Sequence, residues 1–155
     1  MKKIALGLFI FVSFLLIPSA TFAAGSCVFT SVETYGVPQK SQTKMVTLTC
    51  TGDGSITAFS FVPATYGVKG WWLYSVTTAP GTSAPTDQYD ITLLVNSEDM
   101  ANSRLLNRST SATETIVIGD STKGFWLASE TMAITFANNT ANPSTIVLKL
   151  KFCEN

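Results

Sequence analysis

The sequence predicts an all-β protein, an antiparallel β-sandwich or jelly-roll-like fold of about eight strands, and three observations carry that expectation. Beyond residue 24, short runs rich in Thr, Val, Ile and aromatic residues are separated by Gly, Pro, Asn, Asp and Ser, the composition of strands and turns. No part of that stretch carries the apolar period of a long amphipathic helix. Near the C-terminus, Ile146, Leu148, Leu150 and Phe152 face one way while Lys149 and Lys151 face the other. That alternation marks a half-buried antiparallel strand with one side on a core and one in water.

Taken in order, the chain opens with Met1, Lys2 and Lys3, then an apolar run from Ile4 to Ile17 interrupted only by Gly7 and Ser13, then Pro18-Ser19-Ala20-Thr21-Phe22-Ala23. A basic start, an apolar stretch too short to span a bilayer comfortably and small residues at the exit read as a bacterial-type signal peptide over residues 1–23. Cleavage is expected after Ala23 or Ala24. An uncleaved anchor fits less well because no basic stop-transfer cluster follows. A lipoprotein with Cys27 as the modified residue lacks the leucine usual three positions upstream, where Ala24 stands. The remainder, residues 24–155, has the size of a single domain with a workable core.

The candidate strands are Cys27–Glu33, Thr43–Cys50, Ile56–Val62, Gly70–Thr78, Tyr89–Val95, Thr113–Ile118, Thr131–Ala137 and Thr145–Phe152. Between them, Gly52-Asp53-Gly54 supplies positive φ for a tight turn, Pro80-Gly81 suits the centre of a type II turn, and Asn138-Asn139 with Pro143 bounds a further loop. A helical turn is expected only at Ser97–Leu106, with Ser97 as its cap.

Three cysteines survive processing, and in an exported chain two of them are expected to pair. Cys50 shares a strand face with Val46 and Leu48, whereas Cys153 alternates with Lys149 and Lys151 on a polar face. Cys27–Cys50 is therefore the preferred disulfide, closing a hairpin whose turn is centred near Pro38 to Lys40 and contributing roughly 3 kcal/mol in the chain-entropy model. Cys27–Cys153, joining the two mature termini, is the alternative.

Charge and chemistry narrow the function. Loss of Lys2 and Lys3 with the signal leaves eight basic against ten acidic residues, an unfavourable balance for binding nucleic acid. No later segment resembles a transmembrane helix, so no membrane association is expected after cleavage. The chain has no histidine, which removes the usual general base, the Ser-His-Asp arrangement and the commonest metal ligand together. Three scattered cysteines make no metal site, and no cofactor is expected. Asp87 with Asp90 and Glu98 with Asp99 are the close acidic pairs, and their spacing matches neither a glycosidase nor a calcium loop. They read as solvated strand-end carboxylates, so no catalytic residue is assigned and no enzyme is expected.

The tryptophans are the remaining candidates. Trp71 and Trp72 are adjacent in a strand, so their rings point to opposite faces. With Trp72 directed inward alongside Tyr74 and Val76, Trp71 is the exposed ring, and Trp126 is a second. An exposed tryptophan on a sandwich stacks on a sugar or packs on a neighbouring subunit, the alternative being a second apolar layer under a loop, and Trp71, Trp72 and Trp126 are the candidate interface or ligand-stacking residues.

One stretch carries a resemblance. Trp72-Leu73-Tyr74-Ser75-Val76-Thr77-Thr78 leads into Ala79-Pro80-Gly81-Thr82-Ser83-Ala84-Pro85-Thr86-Asp87-Gln88-Tyr89-Asp90-Ile91-Thr92-Leu93, followed later by Leu105-Leu106-Asn107-Arg108-Ser109-Thr110. It resembles small bacteriophage structural proteins of β-sandwich type, sharply over residues 72–110 and loosely over 43–152. The resemblance implies a β-rich virion building block without enzymatic activity. The signal peptide and paired cysteines depart from a virion protein assembled in cytoplasm, and imply either a phage-like module redeployed outside the cell or a likeness of fold alone.

These readings converge on an exported, non-enzymatic structural or assembly protein, secreted, periplasmic or at the cell surface. It is expected to self-associate or dock on another structural protein, with the segment Ala24 to Gln42 as the contact element because Val28, Phe29 and Val32 need a partner sheet. The alternative is a secreted carbohydrate- or surface-binding β-sandwich module, whose partner is a glycan.

Overall fold

The computed structural model describes residues 25–36, 42–52, 59–118 and 126–154. The signal segment, the turn near Pro38 to Lys40 and the Asp53-Gly54 turn lie outside the described residues. Among those described there are ten strands and no helix. They are β1 (Ser26–Tyr35), β2 (Thr43–Gly52), β3 (Phe59–Phe61), β4 (Trp72–Pro80), β5 (Asp90–Val95), β6 (Glu98–Asp99), β7 (Glu114–Val117), β8 (Trp126–Leu127), β9 (Met132–Ala137) and β10 (Ser144–Cys153).

Two antiparallel sheets form a sandwich, one ordered β1-β2-β10-β4-β7 with β8 also pairing β4, the other ordered β3-β9-β5-β6. The C-terminal strand β10 lies inside the larger sheet, in register with β2 on one side and β4 on the other. Its alternation is as the sequence predicts: Ile146, Leu148, Leu150 and Phe152 are buried, and Lys149 is exposed between them. Val46, Leu48 and Cys50 of β2 and Leu73 and Val76 of β4 join them on the inner face. Phe61, Ile91, Leu93, Met132, Ile134 and Phe136 of the smaller sheet complete one core, with Phe61 stacked on Phe152 at 5.8 Å. Apolar burial of this kind is the dominant driving force for the fold.

All eight expected strands are present in some form, and two very short ones, β6 and β8, escaped the sequence because two residues carry no periodicity. The third strand is confined to Phe59–Phe61 among the described residues.

The expected helical turn at Ser97–Leu106 does not form. Asn96 and Ser97 both have positive φ, the pattern of a type I′ turn, and join β5 to β6 as a two-residue hairpin. Asn102 and Ser103 repeat the arrangement, with the amide of Arg104 donating to the carbonyl of Ala101. The Asp99 carboxylate organises both turns by accepting from the amides of Leu93, Ala101 and Ser103, at 3.2, 3.1 and 2.8 Å. A short acceptor that gathers backbone amides competes directly with helix formation.

Pro80-Gly81 is likewise no type II turn. Pro80 ends β4, and the Gly81 amide continues the ladder to the carbonyl of Thr145 at 2.7 Å. Glycine is required there for close approach, since a Cβ would lie 2.5 Å from Thr145 Cγ2 and 3.0 Å from the Thr145 carbonyl oxygen. The Asn138-Asn139 loop forms as expected, with Asn138 at φ 56°. Buried Asn139 ties it down, accepting from the Thr86 amide at 2.9 Å and donating to Ser144 Oγ at 2.6 Å.

Candidate functional site

The N-terminal strand is where the fold leaves surface unused. β1 is an edge strand paired along its whole length to β2, and no strand among the described residues pairs with its other edge. Of its ten residues only Cys27 is buried. Val28, Phe29, Val32 and Tyr35 are all exposed, Val28 to 62%. Natural edge strands are blunted by lysine, proline, brevity or a bulge; β1 has neither residue and is among the longest strands, and of these devices it carries only a bulge between Phe29 and Ser31. Its single charged side chain is Glu33, which accepts a hydrogen bond from the Tyr35 hydroxyl.

Two features hold this strand in place. The Cys27–Cys50 disulfide joins directly opposed residues of β1 and β2, whose Cα atoms lie 3.9 Å apart. A bulge between Phe29 and Ser31 inserts Thr30, whose hydroxyl meets that of Thr49 at 2.9 Å. Beyond the edge, Phe29 packs on Tyr66 at 5.4 Å, Tyr66 stacks on Phe61 at 4.6 Å, and Phe61 stacks on Phe152. The exposed edge is thus continuous with the core through a row of four rings, and partial burial raises the Tyr66 hydroxyl above its ordinary pKa.

The alternative pairing Cys27–Cys153 is excluded by position. Cys153 is opposite Thr43 at the far end of β10, seven residues from Ile146, the residue in register with Cys50. At the rise of a strand this separation is roughly 23 Å. Cys153 is a free, half-buried thiol on the outer face.

The tryptophans fall differently from expectation. A register shift between Lys151 and Phe152 places Leu73 opposite Phe152 and Ser75 opposite Lys151, leaving Tyr74 as the extra residue of a bulge. Leu73 and Val76 consequently point into the core, and Tyr74 is exposed with Lys151 Nζ 5.3 Å from its ring centre. Trp71 is therefore not the exposed ring: it packs against the core, as does Trp126, while Lys44 Nζ sits 4.5 Å from the Trp71 ring centre. Trp72 lies on the other face, in register with Cys153 and Leu127. Split across two faces and half-buried, the three rings form no common stacking platform.

Three of the acidic candidates, Asp87, Asp90 and Asp99, serve the loops. Asp87 Oδ1 accepts from the Thr110 amide at 3.3 Å, and Asp90 Oδ1 from the Asn107 amide at 2.8 Å, with Asn138 Nδ2 donating to the other Asp90 oxygen. Asp99 is occupied by three amides, as above. Among the described residues no three Cys, Asp or Glu side chains converge as metal ligands.

Sequence reasoning passed over one ion pair. Buried Arg108 donates to both oxygens of Glu114, at 2.7 and 3.0 Å, and Nη1 donates to the Arg104 carbonyl at 3.3 Å. The Arg108 hydrogen bond holds the Glu114 carboxyl below its ordinary pKa, aided by the Ser109 amide. Neighbouring Tyr89 is fully buried, and burial raises its pKa. Nothing in Asn107-Arg108-Ser109 marks the pair in sequence, since an arginine among small turn residues reads as a solvated side chain. No family model, curated protein or solved structure matches this chain.

Proposed function

We propose that the protein is an exported, non-enzymatic structural or assembly component, akin to the phage virion proteins its 72–110 segment resembles, and that it works by docking through the β1 edge. The observation that carries this reading is the strand itself: ten residues, one buried, four exposed apolar side chains, and a disulfide holding it to the sheet. A strand presenting a free row of amides and carbonyls beside apolar side chains is the geometry of β-augmentation, in which main-chain bonds give affinity and side-chain pockets give specificity. Asp87, Asp90 and Asp99, three of the four candidate carboxylates, are spent on backbone amides, which supports a role without turnover.

Export follows from the signal-like residues 1–23 and agrees with a disulfide, which persists in oxidising compartments. No helix of the described residues is long and apolar enough to cross a membrane.

Size-exclusion chromatography and electron microscopy of the processed protein test the proposal. Assemblies larger than one chain are expected, and deletion of residues 24–36 abolishes them or exposes β2 and causes aggregation. A protein that stays monomeric at high concentration and retains that behaviour after the deletion would overturn it.

A further inference from the structure

Resting on that docking reading, we infer that the occupant of the β1 edge is a second copy of this chain, paired β1 to β1 in antiparallel fashion about a two-fold axis at the Thr30 bulge. The pattern of backbone hydrogen bonds fixes the register. Opposed residues in an antiparallel pair alternate between hydrogen-bonded pairs with Cα atoms about 5.5 Å apart and non-hydrogen-bonded pairs about 4.5 Å apart. At 3.9 Å, Cys27 and Cys50 are of the second kind, so the amide and carbonyl of Cys27 point away from β2. Alternation along the paired residues sends those of Phe29 outward too. Beyond the bulge the phase resumes on the partners of β2, and the outward-pointing residues become Val32 and Thr34.

Cys27, Phe29, Val32 and Thr34 are symmetric about the bulge. Laying a second β1 antiparallel across this edge sets Cys27 against Thr34 and Phe29 against Val32 of the second copy, and the reverse, so the outward amides and carbonyls of these four residues meet outward groups of the other strand. A two-fold interface must be self-complementary in this way. The side chains agree with the backbone. Phe29 and Val32 of each copy lie on the face that Cys27 shares with the core, so the pairing gathers four exposed apolar side chains beside the two Tyr66 rings. On the opposite face each Glu33 sits beside Val28 of the other copy. The two Glu33 carboxylates are then about 13 Å apart along the strands, beyond the screening length at physiological salt. The one charge on β1 is accommodated without opposing its like.

The test is register-specific crosslinking in the processed full chain carrying Cys153→Ser, with the native disulfide verified by mass spectrometry. Pairing Phe29 with Val32 sets Thr30 opposite Ser31, so the two Ser31 residues flank the axis one step apart, within the Cα reach of a disulfide, and Ser31→Cys is expected to form a covalent dimer under mild oxidation. Val28→Cys alone is expected to stay unlinked, since the two copies are about 13 Å apart, and Val28→Cys with Glu33→Cys to link. In sedimentation velocity, Phe29→Lys is expected to weaken the non-covalent dimer by about tenfold or more, because the pair it breaks occurs twice. Association that persists in Phe29→Lys while Ser31→Cys links no better than Val28→Cys would overturn the second-copy inference and leave edge docking to another protein standing. Association that Phe29→Lys abolishes without Ser31 crosslinking would overturn this register. A chain monomeric in every variant would overturn both this inference and the docking reading.

Discussion

Removing the Cys27–Cys50 bridge offers a quantitative test of what holds β1 on the sheet. The bridge spans 23 residues of sequence, and the chain-entropy relation for a loop of that length gives about 3.4 kcal/mol of stabilisation at 25 °C. Cys50 is also buried, so Cys27→Ala with Cys50→Ala loses some packing and the total approaches about 4 kcal/mol. For a domain of this size each kcal/mol corresponds to roughly 3–4 °C, and the double variant is expected to melt about 12–15 °C lower than the oxidised wild type. The loss has a local part as well. With nine of its ten residues unburied, β1 is retained by backbone pairing to β2 and by this bridge. Amides of β1 and the facing edge of β2 are therefore expected to exchange with solvent well before those of β10, which lies between two neighbours. Circular dichroism melts with and without reductant read the first effect, and hydrogen exchange reads the second. A melting point unchanged within about 2 °C, or β1 protection equal to that of β10 in the double variant, would refute the reasoning.

Other consequences can be checked in parallel. Leu148→Ala empties a fully buried site on the central strand and should cost about 2–5 kcal/mol by denaturant unfolding. Gly81→Ala drives a methyl into Thr145 and should cost about 1–3 kcal/mol, measured by denaturant unfolding. Because Glu114 has a lowered pKa in the folded protein, its contribution is fully present above the unfolded value of 4.5 and disappears as pH falls through the folded value. Glu114→Gln should thus melt below wild type at pH 7, with the gap closing in acid; a gap independent of pH would contradict the pair. Among the described residues Tyr89 Oη and Thr78 Oγ1 are buried without completing a hydrogen bond, so Tyr89→Phe should leave stability unchanged or raise it by about 1 kcal/mol, and a marked loss would show that the hydroxyl is satisfied.

Fold class was legible in the chain because a strand with one face on a core has a period of two, and β10 displays it without interruption. Tyr89, Ile91 and Leu93 also enter the core in alternation. The disulfide was legible for the same reason: Cys50 shares the inward set of β2, while Cys153 falls with the lysines. What alternation conceals is any event that shifts its phase. The single extra residue at Tyr74 reversed the assignment of Trp71 and Trp72, since a bulge depends on how β4 meets β10 and leaves no mark in β4 alone. The Ser97–Leu106 segment was misread as a helical turn because its conformation is decided by one carboxylate, Asp99, collecting amides from three positions that only folding brings together. Val28, Phe29 and Val32 could be recognised in sequence as apolar residues needing cover, but their exposure is a property of strand order. Among the described residues β1 is the last strand of its sheet, and whether a side chain at an edge is buried is settled by what lies beyond it rather than by its own periodicity.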